Sequence, residues 1–295
     1  MLSSDVGVFV VDKPQYFTSF DVVAKLRGIL KIRRIGHGGT LDPLATGVLP
    51  IFIGKATKAV DLVPNTGKRY IATAKIGCRT DSGDITGSVI ATSDVFPNKE
   101  QLENILSTFL GMGVQIPPMY SAIKVNGRPL YDIARKGEIV KRQPRPIEIF
   151  SLDLLSSNSS SGEFTIDVAC SKGTYIRTLV EDIAEAAGSV ATLTTLKRTK
   201  SGPFDFADCM TLKEIEDRVT AEDYSFIAPV DRLFDSLKTV TLSDKQYSYF
   251  LNGVAFSVDL VTECNSLVSV VYEDKMIAVA RILEGELRSV AKFLG

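Results

Sequence analysis

Apolar and polar positions alternate along this chain in patterns that mark out most of its elements. Residues 7–14, GVFVVDKP, begin with a short apolar run that reads as a strand stopped at Lys13-Pro14. Phe20, Val23, Leu26 and Leu30 then fall at helical spacing over residues 19–31, with Ser19 placed as the N-cap. Val48 to Ile53 is apolar at nearly every position, so periodicity does not separate a buried strand from the start of an apolar helix. Tyr70 to Ile76 alternates as a strand and runs into the turn-rich RTDSGDITG. Asn98 precedes an amphipathic helix carrying Leu102, Ile105, Leu106 and Phe109, which should end near Gly111 or Gly113.

Residues 114–146 hold five prolines and read as a long, partly irregular excursion. SSNSSSG at 156–162 reads as a polar hairpin tip before the alternating strand Phe164, Ile166 and Val168. Thr174 is placed to cap a helix whose apolar stripe is Ile176, Leu179, Val180 and Ile183, stopped by Gly188. From about residue 231, short β-prone runs (Thr239–Leu242, Leu267–Tyr272, Met276–Ile282) alternate with turns, which predicts a small β-rich domain. The domain boundaries expected are 1–230 and 231–295.

Composition narrows the class. At 295 residues, 45% hydrophobic and 23% charged, the chain has the make-up of an ordinary globular protein. No apolar stretch approaches the roughly 20 residues that span a bilayer, and no signal segment is recognisable, so a cytoplasmic location away from membranes is expected. Cys78, Cys170, Cys209 and Cys264 lie far apart and His37 is the single histidine, a poor ligand set for zinc. The cysteines read as small buried hydrophobes. Neither a P-loop nor an EF-hand calcium loop is present, and no metal or cofactor is expected.

Net charge is −1, but it is unevenly spread. Residues 1–204 carry 25 Lys and Arg against 19 Asp and Glu, whereas residues 205–295 carry 9 against 16. Lys124, Arg128, Arg135, Lys136, Lys141, Arg142 and Arg145 crowd into the excursion beside only Asp132 and Glu138, which fits a phosphate-binding face as well as a solvated loop.

Candidate chemistry gathers in three segments. In GHGGTLDPLATGVLP, residues 36–50, Asp42 is held in front of a proline, downstream of His37 and a glycine cluster. Tyr70 follows Gly67, Lys68 and Arg69 at the start of a strand. In KGTYIRT, Tyr175 and Arg177 fall in a first helical turn, where an arginine opposes the macrodipole and so calls for a specific partner such as a carboxylate. Two tyrosines and an arginine around one acid can stack a flat ring and hold one negative charge.

Taken in order, these segments resemble the TruB family of tRNA pseudouridine synthases, of which bacterial tRNA pseudouridine-55 synthases are members. The resemblance runs through VDKP (to Pro14), the Asp42 segment, KRY at 68–70, RTDSGD at 79–84, IPPMYSAIKVNGRPLYDIARKG at 116–137, KGTYIRTL at 172–179 and LKRTKSGPF at 196–204. It covers about two-thirds of the chain and implies an isomerase that turns uridine 55 of the tRNA TΨC arm into pseudouridine on a flipped-out base. It implies Asp42 as nucleophile, Tyr70 as stacking residue and candidate for proton transfer, and Arg177 as partner of the aspartate. It further implies Tyr175 and Leu196 in the pocket, His37 among the RNA loop bases, and Lys13 with Pro14 as structural support. Arg69, Lys124, Arg135, Lys136, Lys141 and Arg142 are assigned to substrate binding.

The expected architecture is α+β, the pseudouridine synthase fold. A mixed, largely antiparallel sheet should carry the active cleft, with a basic RNA-gripping insertion at about 118–146 and a small C-terminal β-rich, PUA-like RNA-binding domain. The partner expected is tRNA and the state a monomer. Two rival classes remain open at this point: an RNA-folding helper without chemistry, and a carboxylate-dependent glycoside hydrolase in which Asp81 or Asp84 acts opposite Asp42.

Overall fold

Threonine rather than serine starts the first helix. In the computed structural model, which describes residues 6–64, 67–125, 127–258 and 265–293, strand β1 (Gly7–Lys13) is followed by helix α1 (Ser19–Leu30). Thr18 is its N-cap: the hydroxyl accepts from Asp21 N at 3.0 Å, and the Asp21 carboxylate accepts from Thr18 N at 2.8 Å. That reciprocal pair satisfies two donors that the first turn leaves open, so the cap falls one residue earlier than expected. The buried face then comprises Val22, Val23, Leu26 and Leu30, and Phe20 is exposed.

Strands β2 (Ile35–His37) and β3 (Thr46–Ile53) follow, so the ambiguous apolar run is a strand. Next come β4 (Lys68–Ile76), the short hairpin β5 (Cys78–Thr80) and β6 (Val89–Thr92), and helix α2 (Lys99–Ser107), capped as expected by Asn98. Gly111 does not close that helix but begins β7 (Gly111–Gln115), which shortens the excursion. The excursion itself holds the two-residue strands β8 (Lys124–Val125) and β9 (Arg128–Pro129) and the short helix α3 (Leu130–Ala134). After it come β10 (Arg145–Asn158), β11 (Glu163–Cys170), α4 (Ile176–Ala186) and β12 (Ala191–Ser201). The remainder comprises β13 (Phe204–Asp205), β14 (Cys209–Met210), α5 (Leu212–Thr220), β15 (Lys238–Thr241), α6 (Asp244–Leu251), β16 (Leu267–Tyr272), β17 (Lys275–Leu283) and β18 (Glu286–Lys292).

The chain divides into two compact units, Met1–Asp42 with Val48–Asn65 and Gly202–Gly295, and Pro43–Gly47 with Thr66–Ser201. In the first, β1 and β3 are buried on both faces, which explains their unbroken apolar runs. Phe9, Val11, Leu49, Ile51 and Ile53 pack with the α1 face and Ile215 of α5. Val8 and Phe52, pointing the other way, pack with Ala56, Ala59, Leu233 and Phe234, with Val279 and Ala291 of the last sheet, and with Phe293 just after it. That last sheet runs β15–β16–β17–β18, parallel at its first pair and antiparallel after it. The late β-rich region is therefore present; Cys264 lies outside the described residues.

In the second unit the order is β12–β4–β11–β10–β7, every pair antiparallel, while Thr46 and Gly47 of β3 lie parallel to β12. A mixed, largely antiparallel sheet with helices is what the sequence led us to expect. Strand alternation gives it two unlike faces. Tyr70, Ala72, Ala74, Ile76, Phe164, Ile166, Val168 and Cys170 are buried on one face, and α4 packs over β12 and β4. Arg69, Thr73, Thr165 and Asp167 lie on the other, where Thr73 and Thr165 hydroxyls meet at 3.0 Å.

Candidate active site

Asp42 ends a loop that is tied down one residue before it. Leu41 N donates to Ser19 Oγ at 2.9 Å, and Ser19 Oγ donates back to Leu41 O at 3.3 Å. The serine expected to cap α1 thus clamps the backbone that presents the carboxylate, while Pro43 stiffens the other side. Upstream, His37 pairs with Ile51 across β2 and β3, and Gly38 N donates to Pro50 O at 2.8 Å. A side chain at Gly38 would meet the Phe52 ring at 2.9 Å, so the glycine is required for that close approach. Lys13 is fully buried and its Nζ donates to Pro14 O at 2.9 Å and Phe17 O at 2.5 Å, which fixes the turn leading into α1. Ser19→Ala should therefore lower kcat with RNA affinity nearly kept, and should cost about 1–2 kcal/mol of stability through the missing clamp. Paired turnover and denaturation measurements check this, and an unchanged kcat would remove the clamp from the site.

Tyr70, Leu196 and Arg198 share the covered face of the second unit. Register places Tyr70 between Val168 of β11 and Arg198 of β12, and Leu196 beside Ala72. Tyr70 is 5% exposed and Arg198 is fully buried. No motif reading singles out Arg198, although it stands two residues after Leu196 and so on the same strand face. Arg69, next to Tyr70, necessarily points the opposite way. There it makes a bidentate pair with Asp167, at 2.7 and 2.9 Å. Arg69, assigned to substrate binding, therefore stands on the face opposite Tyr70.

Tyr175 and Arg177 are positioned by segments distant in sequence. Tyr175 rather than Thr174 is the N-cap of α4, and its own side chain makes no cap. The buried Gln115, from the edge strand β7, supplies the missing partners: Tyr175 N donates to its Oε1 at 2.7 Å and its Nε2 donates to Tyr175 O at 3.0 Å. Arg177 is 4% exposed and donates from Nη1 to Ser82 O and from Nη2 to Tyr120 O, each at 2.7 Å. One guanidinium thus joins the RTDSGD loop, the root of the basic excursion and helix α4. Asp84, one of the acids considered for a hydrolase, accepts from Ser82 Oγ and Thr86 N inside that loop, and Asp81 accepts from Ser88 N.

Along the excursion, Lys124, Arg128, Arg135, Lys136 and Lys141 are exposed. Arg142 differs. It is half-buried and donates to Pro117 O at 3.1 Å, so it braces the base of the excursion. Leu130 and Ile133 of α3 are buried.

Comparison with known proteins agrees with this arrangement of motifs. The model of the TruB family pseudouridylate synthase N-terminal domain matches residues 27–176, and that of the tRNA pseudouridylate synthase B C-terminal domain matches residues 177–235. The chain belongs to the TruB family. Its TruB-family relatives include the tRNA pseudouridine synthase B of Streptococcus gordonii, 40% identical over 98% of this chain and 99% of that protein. That of Listeria welshimeri is 41% identical over 92% of each, and that of Francisella philomiragia 40% identical over 96% and 93%. Among solved structures, an archaeal box H/ACA sRNP Nop10-Cbf5 complex chain matches with a TM-score of 0.74 at 22% identity, covering 99% of this chain and 88% of that one. A chain of an H/ACA RNP bound to a substrate RNA containing 2'-deoxyuridine matches at 0.73 and 22%, covering 98% and 85%. These likenesses establish the TruB-type pseudouridine synthase fold, and family membership makes the chain an isomerase of uridine to pseudouridine. No described helix is long and apolar enough to cross a membrane.

Proposed function

We propose that the chain converts the uridine at position 55, in the TΨC arm of tRNA, to pseudouridine, with Asp42 as the nucleophile. The observation that carries this reading is continuity. Asp42 is bonded to Pro43–Gly47, a segment belonging to the unit that contains Tyr70, Tyr175, Arg177 and Leu196, and Gly47 of that segment pairs with Arg198, the cross-strand neighbour of Tyr70.

The chemistry asks for what these side chains offer. The reaction breaks the bond from C1′ to N1, turns the uracil, joins C5 to C1′, and moves the C5 proton away while N1 regains one. It leaves the redox state unchanged and is balanced without a co-reactant. A carboxylate at Asp42 attacks the sugar side and is released when C5 returns to C1′. Tyr70 offers a ring on which the extruded base stacks, Leu196 an apolar wall, and Arg177 the guanidinium assigned as the aspartate's partner. Trapping of a stable C6 adduct would count against attack on the sugar. Release of tritium from C5-labelled uracil in tRNA tests the reading, and tight tRNA binding without any release would reduce the chain to an RNA-binding helper.

The exposed cations of the excursion grip the arm. Replacing Lys124, Arg135, Lys136 and Lys141 together by alanine should flatten the salt dependence of tRNA binding by a log–log slope of about 3–4, at roughly 0.7–0.9 for each of the four phosphates no longer neutralised. An unchanged slope would take the excursion out of the RNA interface. Arg142→Ala should instead loosen the excursion, because its bond to Pro117 is removed. The segment 231–295 is assigned to a PUA-like RNA-binding role on its position and β character, in spite of its acidic balance.

A further inference from the structure

Lys68 begins β4 two residues before Tyr70, so both side chains leave the same face of the strand. Its cross-strand partners are Cys170 on β11 and Ser201 on β12. It is half-buried, and among the described residues its ammonium makes no hydrogen bond or ion pair. The groups bearing on it are Arg198 from β12, the Cys170 thiol from β11 and Lys172 from the turn after β11. Burial, then Arg198, pushes the lysine down to about 8. The Cys170 thiol supplies no countercharge near neutrality, because burial pushes it up to about 11. Two further cations, Arg198 and Lys172, thus bear on Lys68, with no carboxylate among the groups that act on it. A desolvated, unpaired charge disfavours the folded protein, and an incoming anion would relieve it.

We propose that Lys68, flanked by Arg198 and Lys172, is the subsite for a backbone phosphate of the RNA, that of the nucleotide whose base lies against Tyr70. This rests on the function proposed above. Two residues of strand rise separate Lys68 from Tyr70 by roughly 7 Å, a span comparable to the reach from a base to its own phosphate. Lys68 touches substrate there rather than acting through another side chain. Only the ammonium form holds the phosphate, so affinity is complete below pH 8 and is lost as pH rises through that value.

The experiment measures binding of a TΨC-arm hairpin to the full chain at fixed ionic strength from pH 6.5 to 9, for the wild type, Lys68→Arg and Lys68→Met. Wild-type affinity should be level at low pH and fall about fivefold by pH 9 as the ammonium deprotonates, whereas Lys68→Arg should stay level. Lys68→Met should bind about tenfold more weakly at pH 7, in line with removal of one charge-assisted hydrogen bond. It should also melt at a higher temperature, since an unpaired buried charge is gone. A methylphosphonate in place of the phosphate of the target nucleotide should weaken wild-type binding about tenfold and leave the Lys68→Met affinity unchanged. Additive losses in that cycle, or a lower melting temperature for Lys68→Met with an unaltered pH profile, would overturn the subsite. Wild-type pseudouridine formation on the same hairpin separates the two claims: product with additive losses sinks the phosphate site alone, and no product sinks the function on which it rests.

Discussion

Asp42→Asn should form no detectable pseudouridine while holding tRNA with nearly wild-type affinity. The amide keeps the size of the carboxylate but has no anionic oxygen to attack with, and losing a nucleophile lowers kcat by roughly 10^4–10^6-fold. The loop should not move. Its backbone is held by Ser19 at Leu41, by Gly38 at Pro50 and by the proline at 43. Asp42→Ala should behave alike, which separates lost chemistry from an altered hydrogen bond. Single-turnover assays with excess enzyme, run beside filter binding, provide the check. Turnover retained in the alanine variant would assign the attack to another group.

Gly47→Ala is the second large effect and acts on the fold. Gly47 has φ of +97°, and a Cβ built there would lie 2.2 Å from the carbonyl oxygen of Arg198 and 3.1 Å from its nitrogen. These are backbone atoms, so no rotamer change can make room. Either the strand pair opens or Arg198 moves, and Arg198 stands beside Tyr70. Overpacking and left-handed strain together should cost about 3–5 kcal/mol, a large part of the roughly 5–15 kcal/mol that holds a typical domain. Gly173→Ala is the control. Gly173 also has positive φ, at +95°, but nothing lies within 4 Å of its added carbon, so only the strain remains, about 1 kcal/mol. Chemical denaturation separates the two, and equal losses would show that conformation rather than crowding makes Gly47 necessary.

Local signals were legible where the chain reports its own geometry. Asn98 caps α2 as expected, and the polar tip expected at 156–162 lies between β10 and β11, narrowed to 159–162 because β10 runs to Asn158. The failures share one cause, a partner distant in sequence. Ser19 looks like a cap because serine precedes the helical stripe, yet Leu41 claims its hydroxyl and Thr18 with Asp21 closes the box. Thr174 looks like a cap too, but Gln115, far back in the sequence, satisfies the backbone of Tyr175. Asp42 and Arg177 were legible as motif members. Why Arg177 is buried was not, because Ser82 and Tyr120 carbonyls are invisible in any pattern of side chains.

Incubation with an unmodified tRNA transcript, followed by mapping of pseudouridine at nucleotide resolution, tests the central claim most directly. The account predicts a single new pseudouridine, at position 55 in the TΨC arm, present with the wild type and absent with Asp42→Asn. Modification at another tRNA position with uridine 55 untouched, or an unchanged product from Asp42→Asn, would contradict it.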